Sequence, residues 1–235
     1  MRKTDFQLFS LTHLAILAAV PLIASLLAAV ARADRIRARR ISLSLAVILS
    51  ANEIIWYSYR YSTEGVRFPE GLPLQLCDAM VWISVAALLS TAQWVFESAF
   101  LIGIAGAGMA LLTPDLWAPL RSYPSIYFFL AHGLIVAAVL YLVWSKERSL
   151  QPGCVWRVFR TVNLFALIVG TFNAIFHTNY MYLCRKPQGA SLLDYLGPWP
   201  LYILAGEVLA FALLWTLWLP FAWARRGSLW RAGAQ

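Results

Sequence analysis

Seven polar residues lie in otherwise apolar stretches of the chain, and their types could support catalysis or transport. They are Glu53, Cys77, Asp78, His132, Asn173, His177 and Glu207. An ionisable group inside a bilayer is costly, so its presence favours chemistry, transport or a structural polar network over chance. A thiol and an imidazole could act as nucleophile and base, whereas carboxylates and histidines could relay protons.

The composition indicates that these residues lie within a membrane. The 235 residues are 61% hydrophobic and 13% charged, whereas a soluble fold is about 25% charged. We therefore expect an all-α, polytopic membrane helix bundle, in which residues 1–235 form a single domain of seven transmembrane helices. Apolar stretches of about 20 residues predict helices at 11–31, 41–60, 74–92, 95–112, 124–144, 157–178 and 200–223.

The basic residues predict the orientation of these helices. Five arginines follow the first helix within positions 32–40, and a basic loop of this kind stays in the cytoplasm. We therefore expect the N-terminus outside, the C-terminus in the cytoplasm, and a bacterial cytoplasmic membrane as the location. An alternative is that the first apolar run is a signal peptide, but it is longer than such peptides require. Because the arginines lie in short loops, no nucleic-acid partner is expected.

Distances from the predicted helix ends place the polar residues in the outer half of the bilayer. At about 1.5 Å per residue, Glu53, His132 and Glu207 lie roughly 10 to 12 Å deep. Cys77 and Asp78 lie roughly 6 to 8 Å deep. Several helices thus bring ionisable groups to similar levels.

Helical periodicity relates some of these residues to one another. Asn163, Asn173 and His177 share one stripe of the sixth helix, which we expect to face the bundle. On the third helix Gln75 and Asp78 share a face, whereas Cys77 is turned by about 100°. A regular helix cannot direct all three side chains to one point, so one of them must contact a neighbouring segment instead.

Cys77 is the best candidate for a nucleophile. Pro73 suits a first helical turn, which would place the thiol near a helix N-terminus, where thiolate is favoured. Asp78 and the apolar surroundings oppose this, so an imidazole such as that of His132 would be needed to take the proton. The alternatives are that Cys77 only packs, that His132 only links helices by a hydrogen bond, or that Cys77 forms a disulfide with Cys184.

Five segments along the chain together resemble a known family, the bacterial YwaF-like integral membrane family, which is similar to eukaryotic transmembrane protein 164. The resemblance extends from the first helix to the seventh. The segments are Leu72-Pro73-Leu74-Gln75-Leu76-Cys77-Asp78, Ala131-His132-Gly133, Asn179-Tyr180-Met181-Tyr182-Leu183, Lys186-Pro187 and Leu196-Gly197-Pro198-Trp199-Pro200.

The resemblance implies an acyltransferase that moves a fatty acyl chain between phospholipid and lysophospholipid through a thioester. By motif position, Cys77 is the nucleophile and His132 the base. A distant similarity to androgen-induced membrane hydrolases of fatty acid esters makes a lipid ester hydrolase an alternative. The expected partners are membrane phospholipids and lysophospholipids as substrates, and neither a cofactor nor an obligatory protein partner is expected.

Other polar residues are candidates for supporting roles. Asn173, His177 or the backbone near Leu74 could hold the oxyanion, and Glu53 and Glu207 could orient His132 or remain protonated as hydrogen-bond donors. The long loop at 178–199 either binds the substrate or belongs to an aromatic interfacial belt. Candidates for substrate binding are Gln75, Asn179, Tyr180, Arg185 and Lys186.

Two other classes of function remain open. A small proton-coupled transporter could use Glu53, His132 and Glu207 as its relay, although alternating access favours a site between internal repeats, and the sequence has none. A zinc-dependent lipid hydrolase could use His132, His177 and a carboxylate. No HExxH pair is present, and we expect no metal.

Overall fold

The computed structural model describes residues 6–116, 118–187 and 192–232, with side chains as far as residue 225. All regular elements in these ranges are helices, which confirms the all-α class. The seven long helices are α1 (Leu11–Ala31), α2 (Arg35–Glu64), α3 (Leu76–Leu89), α4 (Gln93–Leu112), α5 (Tyr123–Trp144), α6 (Cys154–Phe176) and α7 (Leu201–Ala232). Two short 3-10 helices, Tyr180–Tyr182 and Leu192–Leu196, lie between α6 and α7.

Six of the described helices are long and apolar enough to cross a membrane. The exception is α3, whose 14 residues span about 21 Å, less than the roughly 30 Å of a hydrocarbon core. The predicted span at 74–92 is therefore too long at both ends. Because Gln75 precedes the helix, the expectation that Gln75 and Asp78 share a helical face is wrong.

The first connection is shorter than the sequence predicts. α2 begins at Arg35, where the Asp34 side chain accepts a hydrogen bond from the Ile36 N–H at 3.0 Å, and such a cap starts a helix. Four of the five arginines expected in a loop therefore lie in the first turns of α2. At the other end α2 continues to Glu64 and stops at Gly65, whose φ of 73° suits glycine.

The chain divides into two compact units. The first contains residues 1–66 and 77–149 and thus α1 to α5. Its interior is formed by α4 and α5. In the most apolar 18 residues of each helix, 61% of the residues of α4 and 67% of those of α5 are buried. Gly103 permits a close approach there, since a Cβ at this position would lie 3.1 Å from the Ile135 side chain.

The second unit contains residues 67–76 and 150–235, and thus α6, α7 and the loop between them. Asn163 of α6 donates a hydrogen bond to Glu207 of α7 at 2.9 Å. The Arg225 side chain donates to the Leu150 carbonyl near the start of α6. The first contact joins α6 to α7, and the second joins α7 to the segment that precedes α6.

Candidate active site

The Cys77 thiol and the His132 imidazole lie next to each other in the first unit. The distance between Cys77 Sγ and His132 Nε2 is 3.3 Å, within hydrogen-bonding range for sulfur. Cys77 is the second residue of α3 and is half-buried, whereas His132 lies within α5 and is 7% exposed. A short helix therefore presents a thiol to an imidazole that the bundle holds away from water.

The second ring nitrogen of His132 fixes the direction of this hydrogen bond. His132 Nδ1 lies 2.7 Å from the Phe128 carbonyl oxygen, one helical turn earlier. A carbonyl only accepts hydrogen bonds, so Nδ1 carries a proton and donates it. In the neutral ring, Nε2 therefore has the free lone pair, and it faces the thiol.

The orienting group of His132 is thus a backbone carbonyl and not a carboxylate. The sequence offers Glu53 and Glu207 for this task, but Glu53 bonds Tyr127 and Glu207 bonds Asn163. The Phe128 ring also packs against the imidazole, with 4.3 Å between their centroids. The bond to Phe128 could not be read from residue types, because any helical histidine has a carbonyl four residues before it.

Glu53 lies in a buried polar cluster of the first unit. Its side chain is 0% exposed, and its Oε2 accepts a hydrogen bond from the Tyr127 hydroxyl at 2.7 Å. Among the described residues, Glu53 Oε1 has no hydrogen-bond partner. Trp56 stacks on Tyr127 with 4.2 Å between ring centroids. The position of Glu53, 11 residues before the end of α2, makes it about 16 Å deep, more than expected.

Asp78 follows Cys77 in α3 and interacts both with this cluster and with the thiol. Its carboxylate interacts electrostatically with Glu53, with Cys77 and with the Tyr57 hydroxyl. The sequence had pointed to Glu53 and Asp78 but not to Tyr57 or Tyr127. Tyrosines in an apolar run are typical of packing or of an interfacial belt, so residue type carried no signal for either of them.

The other two histidines have different environments. His13 is fully buried, accepts from the Phe9 N–H at 2.9 Å, and bonds the Leu111 carbonyl through Nε2 at 2.8 Å. Both nitrogens are thus used within the fold. His177 follows the end of α6 with a left-handed φ of 57° and is exposed, so its expected place on the helical stripe is wrong.

Asn173 organises the loop that follows α6. Its Oδ1 accepts from the Thr178 hydroxyl at 2.7 Å and from the Tyr180 N–H at 2.9 Å, and its Nδ2 donates to the Tyr180 carbonyl at 3.0 Å. A buried amide with these three bonds shapes the backbone. Asn173 therefore supports the loop, and both the oxygen and the nitrogen of its amide have partners there.

Tyr180 joins two segments of the second unit. Its hydroxyl donates to the Pro69 carbonyl at 2.7 Å and accepts from the Leu72 N–H at 2.9 Å. Nearby, Gln75 Oε1 accepts from the Met181 N–H at 3.0 Å. Gln75 thus bonds a neighbouring segment. This agrees with the expectation that one of the residues Gln75, Cys77 and Asp78 contacts such a segment.

The remaining candidates for substrate binding lie in the same loop. Asn179 Oδ1 accepts from the N–H groups of Cys184 and Arg185, so its side chain closes a turn. Arg185 is exposed. The Lys186 Nζ lies 5.6 Å from the centroid of the Tyr202 ring, a cation–π contact. The two cationic groups are the members of this set that remain suited to a lipid phosphate.

Cys77 and Cys184 are both free thiols, so the Cys77–Cys184 disulfide that the sequence leaves open is not formed in the structure. Among the described residues, no three His, Cys, Asp or Glu side chains are arranged to hold a metal ion. A zinc site built from His132, His177 and a carboxylate therefore has no ligand set in this part of the chain.

We expect Tyr127→Phe to destabilise the protein. The variant would leave Glu53 buried without its hydrogen bond, which costs about 1 to 3 kcal/mol and lowers Tm by about 2 to 10 °C. Thermal unfolding of purified protein in detergent measures the change. The control is Tyr61→Phe, since Tyr61 is 63% exposed. Equal Tm values for the two variants would contradict a buried role for the Tyr127 hydroxyl.

We expect Tyr180→Phe to release the segment at 67–76. The variant removes both hydrogen bonds of the hydroxyl, to Pro69 and Leu72, so local opening becomes more frequent. Limited trypsin digestion should then cleave after exposed Arg67 several times faster than in the original protein. Tyr195→Phe, at a residue 87% exposed, should leave the rate unchanged. Unchanged cleavage in Tyr180→Phe would refute this role.

Comparison with known proteins identifies one family. A model of the TMEM164 family matches residues 8–218 of the chain, which includes every candidate residue described above. No curated protein and no solved structure matches.

Proposed function

Since this chain belongs to the TMEM164 family and is a multi-pass membrane protein, we propose that it is a phospholipid acyltransferase that works through a thioester on Cys77. One observation carries the proposal: the lone pair of His132 Nε2 faces the Cys77 thiol at 3.3 Å. A half-buried thiol needs a base before it becomes a nucleophile. His132 is that base.

In the first half-reaction the acyl chain moves from phospholipid to enzyme. The Cys77 proton passes to His132 Nε2, and the sulfur attacks the ester carbonyl carbon of the donor lipid. The tetrahedral intermediate then loses its C–O ester bond, and the proton on Nε2 passes to the departing glycerol oxygen. The products are an acyl thioester on Cys77 and a lysophospholipid.

In the second half-reaction the thioester returns the acyl chain to an acceptor. The hydroxyl of a second lysophospholipid gives its proton to Nε2 and attacks the thioester carbonyl, after which the proton returns to the departing sulfur. The bond from Nδ1 to the Phe128 carbonyl keeps the ring in the same orientation and tautomer in both halves. One imidazole therefore serves as base and acid in turn.

The N-terminus of α3 supplies the group that would stabilise the oxyanion. N–H groups in the first turn of a helix have no intrahelical partner, and Cys77 is the second residue of α3. Its own N–H can thus donate to the developing negative charge. The backbone near Leu74 is the other candidate from the sequence, but the Leu74 N–H already donates to the Leu72 carbonyl at 2.9 Å.

Hydrolysis is the second candidate, because water could take the place of the acceptor hydroxyl. The burial of His132, of which 7% is exposed, favours transfer, since exclusion of water protects a reactive intermediate.

In the proposed orientation the site faces the outer half of a bacterial cytoplasmic membrane.

The experiment that tests the proposal uses purified protein in liposomes. The donor phospholipid carries a labelled acyl chain, and the acceptor is a lysophospholipid with a different headgroup. Label in the acceptor's diacyl product supports transfer, label in free fatty acid indicates hydrolysis, and label in neither contradicts both.

A proton-coupled carrier predicts a different set of variants. Glu53→Gln would stop a relay and Cys77→Ser would leave it intact, whereas an acyltransferase is disabled by Cys77→Ser. Proton flux into the same liposomes, followed with a trapped pH dye, distinguishes the two. Flux that requires Glu53 but not Cys77 would replace the enzyme proposal.

A further inference from the structure

A basic cavity lies at the end of the first unit remote from Cys77. Its volume is about 790 Å³. Cationic side chains reach it from the start of α2 and from the segment after α5, with a single carboxylate among its lining residues. The charged lining residues are Arg35, Arg39, Lys146, Glu147 and Arg148. The cavity therefore has a positive character suited to an anionic group.

Hydrogen bonds connect the segments of the chain that surround the cavity. The Tyr141 hydroxyl of α5 donates to the Ala38 carbonyl of α2 at 2.8 Å. Arg148 donates through one guanidinium nitrogen to the Thr91 carbonyl at 2.7 Å and through the other to the Ser90 carbonyl. These contacts hold together the segments that line the cavity.

An apolar groove continues directly from this cavity. Leu43 and Leu89 line both, and the groove of about 300 Å³ follows α2 from Leu43 to Ile54, with Val85 of α3 as its opposite wall. The eleven helical steps from Leu43 to Ile54 give the groove a length of about 16 Å. Almost all of its lining is apolar, so it suits a hydrocarbon chain and not a soluble anion.

Both features are separate from the candidate active site. Cys77 is the second residue of α3, and the residues of α3 that line the groove are Val85 and Leu89. They lie about 12 and 18 Å from Cys77 along the helix. Neither Cys77 nor His132 lines the cavity or the groove. A ligand here would therefore be bound independently of thioester chemistry.

We propose that the cavity and the groove together bind one membrane phospholipid whose headgroup carries a net negative charge. The phosphate lies among Arg35, Arg39 and Lys146, and one acyl chain lies along α2 from Leu43 to Ile54. Charge complementarity selects the head, and the continuous apolar groove selects a lipid over a free phosphate. This lipid-binding site goes beyond the proposed acyl transfer and does not depend on it.

Basic residues near a membrane surface have a simpler explanation, because they also set topology and attract anionic lipids without a defined site. The chain offers a matched comparison. Arg37 and Arg40 belong to the same turns of α2 as Arg35 and Arg39 but do not line the cavity. A general surface effect treats the two pairs alike, whereas a built site does not.

The test uses the full chain purified in detergent and incubated with equal amounts of phosphatidylglycerol and phosphatidylcholine. Native mass spectrometry counts the lipids retained. We expect one phosphatidylglycerol to be retained in preference to phosphatidylcholine. Arg35→Gln with Arg39→Gln should reduce that retention about 10- to 30-fold, whereas Arg37→Gln with Arg40→Gln should leave it within about twofold. Equal losses in the two double variants, or no preference for the anionic lipid, would overturn the proposal.

The groove is tested separately, with a substitution that fills it. Ala51 lines the groove and is exposed, so Ala51→Trp should displace the acyl chain and reduce retention. Ile48→Trp, at a residue 47% exposed and outside the groove, is its control. Competition by millimolar inorganic phosphate, or full retention in Ala51→Trp, would contradict a lipid-binding site. Cys77→Ala should retain the lipid, so a failure of the acyl-transfer proposal and a failure of this lipid-binding proposal are distinguishable.

Discussion

Replacing Cys77 with alanine is expected to reduce acyl transfer to the background rate. The variant removes the only atom that can carry the acyl group in the proposed scheme, so both half-reactions stop. Transfer of a labelled acyl chain in liposomes measures the loss. Cys77→Ser keeps a nucleophilic atom but replaces the thiol with a far weaker one, so we expect at least about a 100-fold loss.

The matched control for this prediction is Cys184→Ala. Cys184 is also a free thiol, but it is exposed and lies in the second unit. Its removal should leave the rate unchanged. Retained transfer in Cys77→Ala, at a normal Tm, would eliminate the thioester scheme and favour an activity that uses the other polar groups.

Replacing His132 with glutamine is expected to slow acyl transfer by about 100- to 10,000-fold. Glutamine can keep a polar contact with Cys77, but its amide cannot take or return a proton at neutral pH. Both half-reactions need that proton transfer, so formation of the thioester and its resolution should slow together. Single-turnover measurement of donor lipid loss and product gain follows the two steps separately.

His177→Gln is the control for the histidine prediction, because His177 is exposed and follows the end of α6. It should transfer acyl chains at the original rate. His13 is unsuitable as a control, since both of its nitrogens hold the fold and its loss would act through stability. A His132→Gln protein with the normal rate would show that His132 is a structural histidine.

The sequence predicted the Cys77 and His132 pair because two independent features agree. One is the placement of a thiol and an imidazole in the same half of the predicted bundle, and the other is the order of family motifs. The 3.3 Å contact between them could not be derived in this way, since residue depth carries no information about rotation or helix packing. The tautomer of His132 depends on that contact and on the Phe128 carbonyl, so it too could not be predicted from the sequence.

The predictions from sequence that are wrong lie mainly at helix ends. Gln75 was expected inside a helix that begins at Leu76, and His177 was expected on a helix that ends at Phe176. Apolar runs extend through such boundaries without a change in composition, so hydropathy marks the membrane segment better than it marks the helix. Asp34 and Gly65, which do bound α2, were available signals of capping.

The hydrogen bonds of Asn173 could not be predicted, for a different reason. An asparagine on the inner stripe of a helix has donors and acceptors suited to an oxyanion, and its residue type does not reveal which backbone groups already use them. In the structure both the oxygen and the nitrogen of the Asn173 amide are hydrogen-bonded to the loop at 178–180. Loop conformation is a property of tertiary contacts, so sequence pattern could not predict it.

The most direct test of the central claim is the intact mass of the protein after incubation with a single defined phospholipid and no acceptor. We predict one added acyl group, located on Cys77, that is released by neutral hydroxylamine as a thioester should be, and that is absent from Cys77→Ala. Turnover of lipid by a protein that never carries an acyl group on Cys77, measured at early times and under acceptor-free conditions, would contradict the account.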